Sequence, residues 1–429
     1  MNEKGVTAMS MKNMSKQKHT TKQIGKRALK IILILILIIA ILAGCIAIIN
    51  TVGNSSNRNF INNSVKTVEY SEQLEPMLED DGSYTFVTDR DFKAVQLTDV
   101  HIGAGFMSIK KDNMALNAVT AMLTQEKPDL VIVTGDIAYP VPFQAGTFNN
   151  KSSAVMFAEL MEKLGIYWCL GFGNHDTESY SFFSREDISK LYSDREKYPH
   201  CLFTEGPENI DGCGNYVINI KNTQGKITQS LFMFDSHSYT DNDVFGIMWK
   251  YDCVHENQVQ WYRDEIADLT IQNGGEVPKS MAFMHIPVVE MREAYYEYRD
   301  NGFQDTENVK YLYGTAGEKN DVVYSSDKNY GLFDAFLEEG STQNVFFGHD
   351  HLNNFSLIYK GIRFTYGYSI DYLAYNGISK FGAQRGCNVI MIHPDGSYDC
   401  TLENYYQDKY QSVNDKENVD MGEFYKDAE

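Results

Sequence analysis

The chain reads as an α/β protein, built on a mixed sheet or a sandwich of two sheets and preceded by one transmembrane helix. Two observations predict this. From Phe92 onward, short apolar segments of strand length alternate with segments of helical spacing, and an uncharged apolar run fills Ile31–Ile49. Strand–helix–strand–helix–strand order predicts parallel strands with helices on the faces of the sheet.

The N-terminal elements come first. Residues 1–50 hold eight Lys/Arg against Glu3 alone, and "KIILILILIIAILAGCIAIIN" begins at the last of them, Lys30. Its Ile31–Ile49 portion has 19 residues without a charge, a polar side chain or Pro. At about 1.5 Å per residue this just crosses a hydrocarbon core of roughly 30 Å. No polar face exists on the run, which argues against a buried core helix. The basic lead predicts residues 1–30 in the cytoplasm and a single pass through the cell membrane, with the remainder outside. "LAGC" (Leu42–Cys45) resembles a lipoprotein processing site, so a lipoprotein anchored at Cys45 is the alternative. Against it, the apolar run continues through Ile46–Ile49 and the basic lead is long. Residues 50–90 open with the polar, Asn- and Ser-rich "NTVGNSSNRNFINNS" and are expected to form a linker.

Residues 91–400 are expected to form the catalytic domain. "FKAVQL", "DLVIVTG" and "IYWCLGFG" read as strands, separated by the helical segments Asp112–Gln125 and "SAVMFAELMEKLG", the latter stopped by Gly165. Further strands are "NYVINI", "SLFMFDS", "SMAFMHI" and "NVFFG", with "ENQVQWYRDEIADL" as a helix among them. "FSLIYKGIRFTYGYS" and "NVIMIHPDGSYDCTLENY" read as hairpins turning at Lys360-Gly361 and Asp395-Gly396. Residues 401–429 are acidic and polar and are expected to form a surface extension.

Charge and cysteine usage exclude some functions. Outside residues 1–50 the chain carries 30 basic against 57 acidic residues, a balance of −27. Such a body repels nucleic-acid phosphates, so no nucleic-acid partner is expected. Beyond the apolar run stand Cys169, Cys201, Cys213, Cys253, Cys387 and Cys400, with no C-x-x-C pair. A cysteine metal site therefore has no support. Short disulfides (Cys201–Cys213 or Cys387–Cys400) and buried free thiols both stay open.

Polar side chains cluster just past the C-terminal ends of the predicted strands, where α/β folds place their sites. "VQLTDVH" ends in Asp99 and His101, "LVIVTGD" in Asp136, and "CLGFGNHD" in Asn174, His175 and Asp176. "MAFMH" ends in His285, and "VFFGHDH" in His349 and His351. Of ten histidines in the chain, five stand at these strand ends. One such residue is ordinarily a turn cap or a core imidazole; five strand ends carrying them together are not explained that way. Carboxylate, imidazole and amide oxygen are the donors that hard divalent cations select, and a carboxylate has two oxygens with which to bridge a pair of ions.

The order Asp-x-His, Gly-Asp, Gly-Asn-His-Asp, His, Gly-His-x-His resembles the calcineurin-like metallophosphoesterase superfamily over about residues 92–370. "DSHSY", "FMHIP" and "GHDHLNNF" look most like its purple-acid-phosphatase-related branch. The resemblance implies a four-layer α/β/β/α sandwich of two mixed sheets and two divalent or trivalent metal ions, Mn, Fe or Zn. Carried over position by position, it implies Asp99, His101, Asp136 and His351 around one ion. Asp136 would bridge to the second ion, which Asn174, His285 and His349 complete. His349 and His351 would serve different ions, with Gly348 permitting the bend between them. His175 would donate a proton to the leaving oxygen, with Asp176 orienting its ring.

One departure stands out. "GDIAY" matches a block whose tyrosine binds ferric iron and gives colour in purple acid phosphatases, yet those enzymes usually lack the histidine found here at His101. Tyr139 and His101 therefore compete for one position. His237 receives no ligand role from the resemblance and is a candidate to line the pocket. The expected function is membrane-anchored, extracytoplasmic hydrolysis of a small phosphate monoester. A phosphodiesterase acting on nucleotide, lipid or wall-polymer diesters, and a catalytically silent binding module of the same fold, are the alternatives.

Overall fold

The computed structural model describes residues 3–375, 377–381 and 384–419 and divides into two units, Met1–Gly53 and Asn54–Glu429. Helix α1 (Glu3–Ser64) begins in the first unit and ends in the second. In the first, the apolar window has a mean hydropathy of 3.5 and none of it is buried. A helix of that length and composition serves either as a membrane span or as a signal sequence.

In chain order the strands of the second unit are β1 (Met77–Leu78), β2 (Tyr84–Val87), β3 (Phe92–Leu97), β4 (Leu130–Thr134), β5 (Trp168–Gly171), β6 (Tyr216–Lys221) and β7 (Ile227–Met233). They continue with β8 (Ser280–Phe283), β9 (Val309–Tyr313), β10 (Thr342–Phe347), β11 (Ser356–Tyr359), β12 (Ile362–Tyr366), β13 (Gly386–Ile392) and β14 (Tyr398–Asn404). The helices are α2 (Ile109–Glu126), α3 (Asn150–Leu164), α4 (Arg185–Tyr192), α5 (Glu256–Gln272), α6 (Val289–Asp300) and α7 (Leu332–Glu339).

Two mixed sheets result. One runs β1-β2-β6-β7-β8-β10-β12-β11-β9 and the other β14-β13-β3-β4-β5. Within the second, β3, β4 and β5 are parallel through the crossovers α2 and α3; within the first, β7, β8, β10 and β12 are parallel. The central strands end in apolar runs, Leu231–Met233 in β7, Met281–Phe283 in β8 and Val345–Phe347 in β10, because both of their faces are covered there. On the large sheet Phe232, Ala282, Met284, Val345 and Phe347 share a cluster with α5, α6 and α7. Their neighbours Leu231, Met233, Met281, Phe283 and Phe346 join the other cluster, with the small sheet, α2 and α3. That alternation makes four layers, helix–sheet–sheet–helix, as the resemblance implies. Each Leu, Val, Met or Phe among them, taken fully from water, stabilises the sandwich by about 1.5–3 kcal/mol.

Both predicted hairpins form: β11 and β12 pair antiparallel around Lys360-Gly361, and β13 and β14 around Asp395-Gly396. Gly165, with φ of 68°, caps α3 where the stop signal stands.

The 50–90 stretch is more ordered than a linker. Phe60, Ile61, Val65 and Val68 are buried in the core, Arg58 pairs with Glu159 at 2.8 Å, and residues 84–87 add a strand beside β6. The Asn- and Ser-rich lettering hid four apolar side chains at spacings that pack. Beyond residue 400, β14 is in the sheet, Tyr405 and Tyr410 are buried, and Glu417 meets Arg385. Residues 420–429 lie outside the described residues. Every cysteine is free.

Candidate metal centre

The ends of five strands converge. Asp99 and Asp136 follow β3 and β4 by two residues, Asn174 follows β5 by three, and His285 and His349 follow β8 and β10 by two. The polar end of each sheet therefore delivers side chains to one place.

Asp99, His101, Asp136 and His351 form one buried group whose donor atoms lie within 4.8 Å of one another. His101 Nε2 is 3.2 Å from Asp136 Oδ2, and His351 Nε2 is 3.4 Å from Asp99 Oδ1. A second group shares Asp136. His285 Nε2 is 3.2 Å from the same Oδ2 and 3.0 Å from Asn174 Oδ1, and His349 Nδ1 is 2.9 Å from Asn174 Oδ1. Asp136 Oδ2 thus stands between the two groups.

The backbone bends sharply here. Asp99, His101, Asp136 and His349 all have positive φ, of 52°, 52°, 56° and 77°. Non-glycine residues in that region are uncommon, and such strain collects at functional sites. The bend in Gly348-His349 is made by His349 itself. Gly348 is required for space, since a Cβ there would meet Thr98 Oγ1 at 2.0 Å. Gly173 is required for the same reason, its Cβ falling 2.1 Å from Asp136 Oδ1.

A surrounding layer holds the donors in place. Thr98 Oγ1 donates to Asp99 Oδ2 at 2.8 Å, and the backbone N–H of His175 donates to Asp136 Oδ1 at 2.8 Å. His285 Nδ1 faces the Thr134 carbonyl at 2.9 Å, which orients Nε2 toward Asp136 and Asn174. Asn174 Nδ2 donates to the Tyr239 hydroxyl at 3.0 Å, leaving its Oδ1 for the imidazoles. Asp371 Oδ1 lies 3.2 Å from His101 Nδ1 and its Oδ2 lies 3.4 Å from His351 Nδ1. Three backbone N–H groups, of Leu373, Ala374 and Tyr375, donate to Asp371 in turn.

The electrostatics follow from burial and crowding. Burial opposes charge on Asp136, but His285 and His175 outweigh it and hold the carboxyl well below its usual range. His285 is likewise opposed by burial, yet Asp136 and Asp99 push it up to about 9. His349 goes the other way, with burial and the charge on His285 favouring its neutral form. A neutral imidazole is the form that ligates metal, so His349 is ready to bind, whereas His285 would give up its proton to an ion.

His175 sits at the open side, with 22% of its side chain exposed. Its Nδ1 is 2.7 Å from Glu178 Oε1, so the orienting carboxylate is that of Glu178 and not that of Asp176. Asp176 is turned inward, where it accepts from the backbone N–H groups of Asp136, Ala138 and Gly173 at 2.8–2.9 Å. Burial and the charge of Asp136 raise its pKa to about 6. Tyr139 stacks on His101 with centroids 4.6 Å apart and donates its hydroxyl to Gln144 at 2.7 Å. Burial also raises its pKa, which disfavours a phenolate. His237 is placed outside the cluster, stacked on His255 at 4.0 Å and paired with Gln258 at 2.9 Å. Asp350 is buried and accepts from Tyr366 and Asn353, which anchors the turn between His349 and His351. Sequence reasoning missed Glu178 and Asp371. Neither ends a strand, so only their acidic type marks them.

The residues fit a pair of hard cations. Asp99 Oδ1 and His349 Nε2 are buried without a hydrogen-bond partner, the oxygen 3.4 Å from His351 Nε2. Crowding carboxylates and imidazoles in this way is what a bound cation would relieve, since it takes the place of the protons they share. No thiol belongs to either group, which suits Mn, Fe or Zn on oxygen and nitrogen donors.

A family model described as calcineurin-like phosphoesterase matches residues 92–353. The chain is 28% identical over 315 residues to probable inactive purple acid phosphatase 28 of Arabidopsis thaliana, covering 68% of this chain and 73% of that protein. It is 29% identical over 320 residues to probable inactive purple acid phosphatase 14 of the same plant, covering 68% and 74%. Against phosphatase DCR2 of Saccharomyces cerevisiae the identity is 28% over 291 residues, covering 62% and 45%. Among solved structures, a dimetal phosphatase from Danio rerio matches with a TM-score of 0.44 at 11% identity, covering 71% of this chain and 94% of that one.

Proposed function

Because the chain belongs to the calcineurin-like phosphoesterase family, and is thereby a metallophosphoesterase hydrolase, we propose that it hydrolyses small phosphate monoesters at a dinuclear metal centre, anchored in a membrane with its body outside the cytoplasm. The observation that carries this is the shared oxygen of Asp136, 3.2 Å from both His101 Nε2 and His285 Nε2. A carboxylate oxygen held between two donor groups is what a bridged pair of ions needs.

Asp99, His101, Asp136 and His351 would hold one ion, and Asp136, Asn174, His285 and His349 the other. When bound, such ions supply Lewis acidity toward phosphate oxygens and make water nucleophilic near neutral pH. His175 supplies the proton. With Nδ1 held by Glu178, Nε2 is the ring nitrogen that can hand a proton to the leaving alkoxide as the ester P–O bond breaks. Water adds to phosphorus, the alcohol departs with that proton, and inorganic phosphate remains. No side-chain nucleophile is required. Thr134, Asp371, Thr98 and Tyr239 keep the donors in place, so little reorganisation is left for the reacting complex.

Monoester specificity draws support from relatives whose names are those of phosphatases. A small substrate suits the acidic body, which attracts no polyanion. The extracytoplasmic placement draws support from the basic residues before Ile31.

Two relatives are named as inactive, which favours a second reading, a silent binding module. The complete donor set of this chain weighs against it. The test is full-length protein in detergent, loaded with manganese, given an aryl phosphate monoester and the matching bis-aryl diester. Faster monoester cleavage, lost in His175→Ala, is expected. Faster diester cleavage would replace the phosphatase reading, and stoichiometric metal without any hydrolysis would favour the silent module.

A further inference from the structure

Five large apolar side chains on segments that follow the metal-group strands are exposed: Phe106 at 36%, Met107 at 49%, Phe143 at 88%, Phe148 at 40% and Phe182 at 67%. They fall into two groups joined by the short segment from Gly146 to Phe148. Met107 N–H donates to the Ala145 carbonyl, and a Cβ on Gly146 would lie 2.5 Å from the Phe106 ring. The turn of residues 141–146 carries Phe143. Phe148 stacks on Phe182 at 5.8 Å, and Phe182 N–H donates to the Phe148 carbonyl at 2.9 Å. Exposed aromatics grouped in this way mark a surface that meets something apolar.

The chain itself indicates what that is. Asn54 Nδ2 donates to the Ala104 carbonyl at 3.0 Å, two residues before Phe106. The apolar run ends at Ile49, and five residues span at most about 18 Å even when fully extended. If Ile31–Ile49 crosses a membrane, that chain length keeps the loop of residues 104–107 within reach of the membrane's surface. Charge agrees. Lys110 and Lys111 stand in the first turn of α2, and Lys151 in the first turn of α3. Lys151 lies over the Phe183 ring at 5.0 Å, but a cation in a first helical turn opposes the helix dipole, and anionic headgroups beside the exposed aromatics would offset that cost for all three.

We propose that the face carrying Phe106, Met107, Phe143, Phe148 and Phe182 docks into the headgroup region of the membrane that anchors the chain. The occupant is a lipid surface, with the aromatic rings at the acyl boundary and the three lysines among phosphate groups. Because Tyr139 stacks on His101 and leads into the Phe143 turn, the metal group borders this docked face. The inference rests on the membrane-spanning part of the proposed function and not on its chemistry.

The test uses full-length protein in phosphatidylcholine–phosphatidylglycerol vesicles, with and without bromine on the acyl chains. One tryptophan at a time is added by Phe143→Trp, Leu35→Trp or Phe303→Trp in a Trp249→Phe background, which removes the exposed native indole and keeps the buried Trp168 and Trp261 as a common baseline. Phe143 is almost wholly exposed, so its replacement leaves packing intact. Brominated lipid is expected to cut the added emission of both F143W and L35W about twofold, with F303W unaffected, as for indoles at the acyl boundary. Quenching of L35W with F143W no more quenched than F303W would overturn the docking while leaving the anchor in place. Absence of quenching in L35W would remove the anchor and the docking together.

Discussion

Asp371 Oδ1 lies 3.2 Å from His101 Nδ1, on the opposite side of the ring from the nitrogen that faces Asp136. Its other oxygen reaches His351 in the same way, so one carboxylate stands behind two imidazoles of a single donor group. Carboxylates placed behind metal-binding imidazoles set ring orientation and basicity, and their loss typically weakens metal binding about 10–100-fold. Asp371→Ala is expected to do so in a competition titration against a chelator. Asp371→Asn, which keeps an acceptor for the 373–375 turn, separates ring orientation from loop stability. Unchanged affinity in both variants would assign Asp371 to the turn alone.

That the donor side chains would come together was legible because each stands just past a strand, and strand ends are visible as apolar runs that stop at a polar residue or Gly. Asp371 was not, since it lies in an irregular segment after β12 and contacts its partners only in three dimensions. Adjacency misled in the case of Asp176. It follows His175 directly, but Gly173 allows so tight a turn that its carboxylate folds under to cap three backbone N–H groups. Similarly, polar composition around residues 54–64 concealed Phe60 and Ile61, which a helix places on its buried side. The two-sheet architecture was left open by periodicity, because strands buried on both faces look alike in either arrangement.

Glu178 and Asp176 should separate cleanly on mutation. His175→Ala is expected to lower kcat by about 10²–10⁴, the range for a general acid. Glu178→Gln leaves His175 present but weakly held, so a smaller fall of roughly tenfold in kcat with KM nearly unchanged is expected. Asp176→Asn should act on folding, costing about 1–3 kcal/mol in denaturant unfolding, because buried backbone donors lose their acceptor. A larger effect on kcat from Asp176→Asn than from Glu178→Gln would reverse the assignment.

Arg185 and Asp235 form a buried ion pair that also ties down the site. Arg185 donates to the Gly173 carbonyl at 2.8 Å and to Ser238 at 2.6 Å while pairing with Asp235. Burial opposes the charge on Asp235, but Arg185 and His237 hold its pKa below the ordinary 3.8. A carboxyl depressed in the folded state stabilises above its unfolded pKa, and that stability is lost as pH falls through the folded value. Asp235→Asn is therefore expected to cost about 3–5 kcal/mol at pH 7. It should also flatten the fall of Tm below pH 4, measured by calorimetry across pH 2–7. An equally steep acid limb in the variant would show that other carboxylates dominate it.

Metal removal should be visible as stability. Ions that bind only the folded chain contribute about 2.7 kcal/mol at a concentration 100 times Kd. Chelation is expected to lower Tm by roughly 3–7 °C for one or two ions, with recovery on adding manganese or zinc. Asp136→Asn should abolish the recovery, because its carboxylate serves both donor groups. A Tm indifferent to chelator in protein shown to contain metal would place that metal elsewhere.

Tyr139 offers a test that needs no substrate. In the family block it matches, the tyrosine ligates ferric iron and produces a visible charge-transfer band. Here its hydroxyl donates to Gln144 at 2.7 Å, its ring lies against His101, and burial disfavours its phenolate. His101 Nε2, by contrast, faces Asp136 at 3.2 Å within the donor group. Iron-loaded protein is therefore expected to show no tyrosinate band, and Tyr139→Phe to keep its full metal content. His101→Ala should lose at least one ion. A visible band that disappears in Tyr139→Phe would make the tyrosine the ligand and move His101 to the surrounding layer.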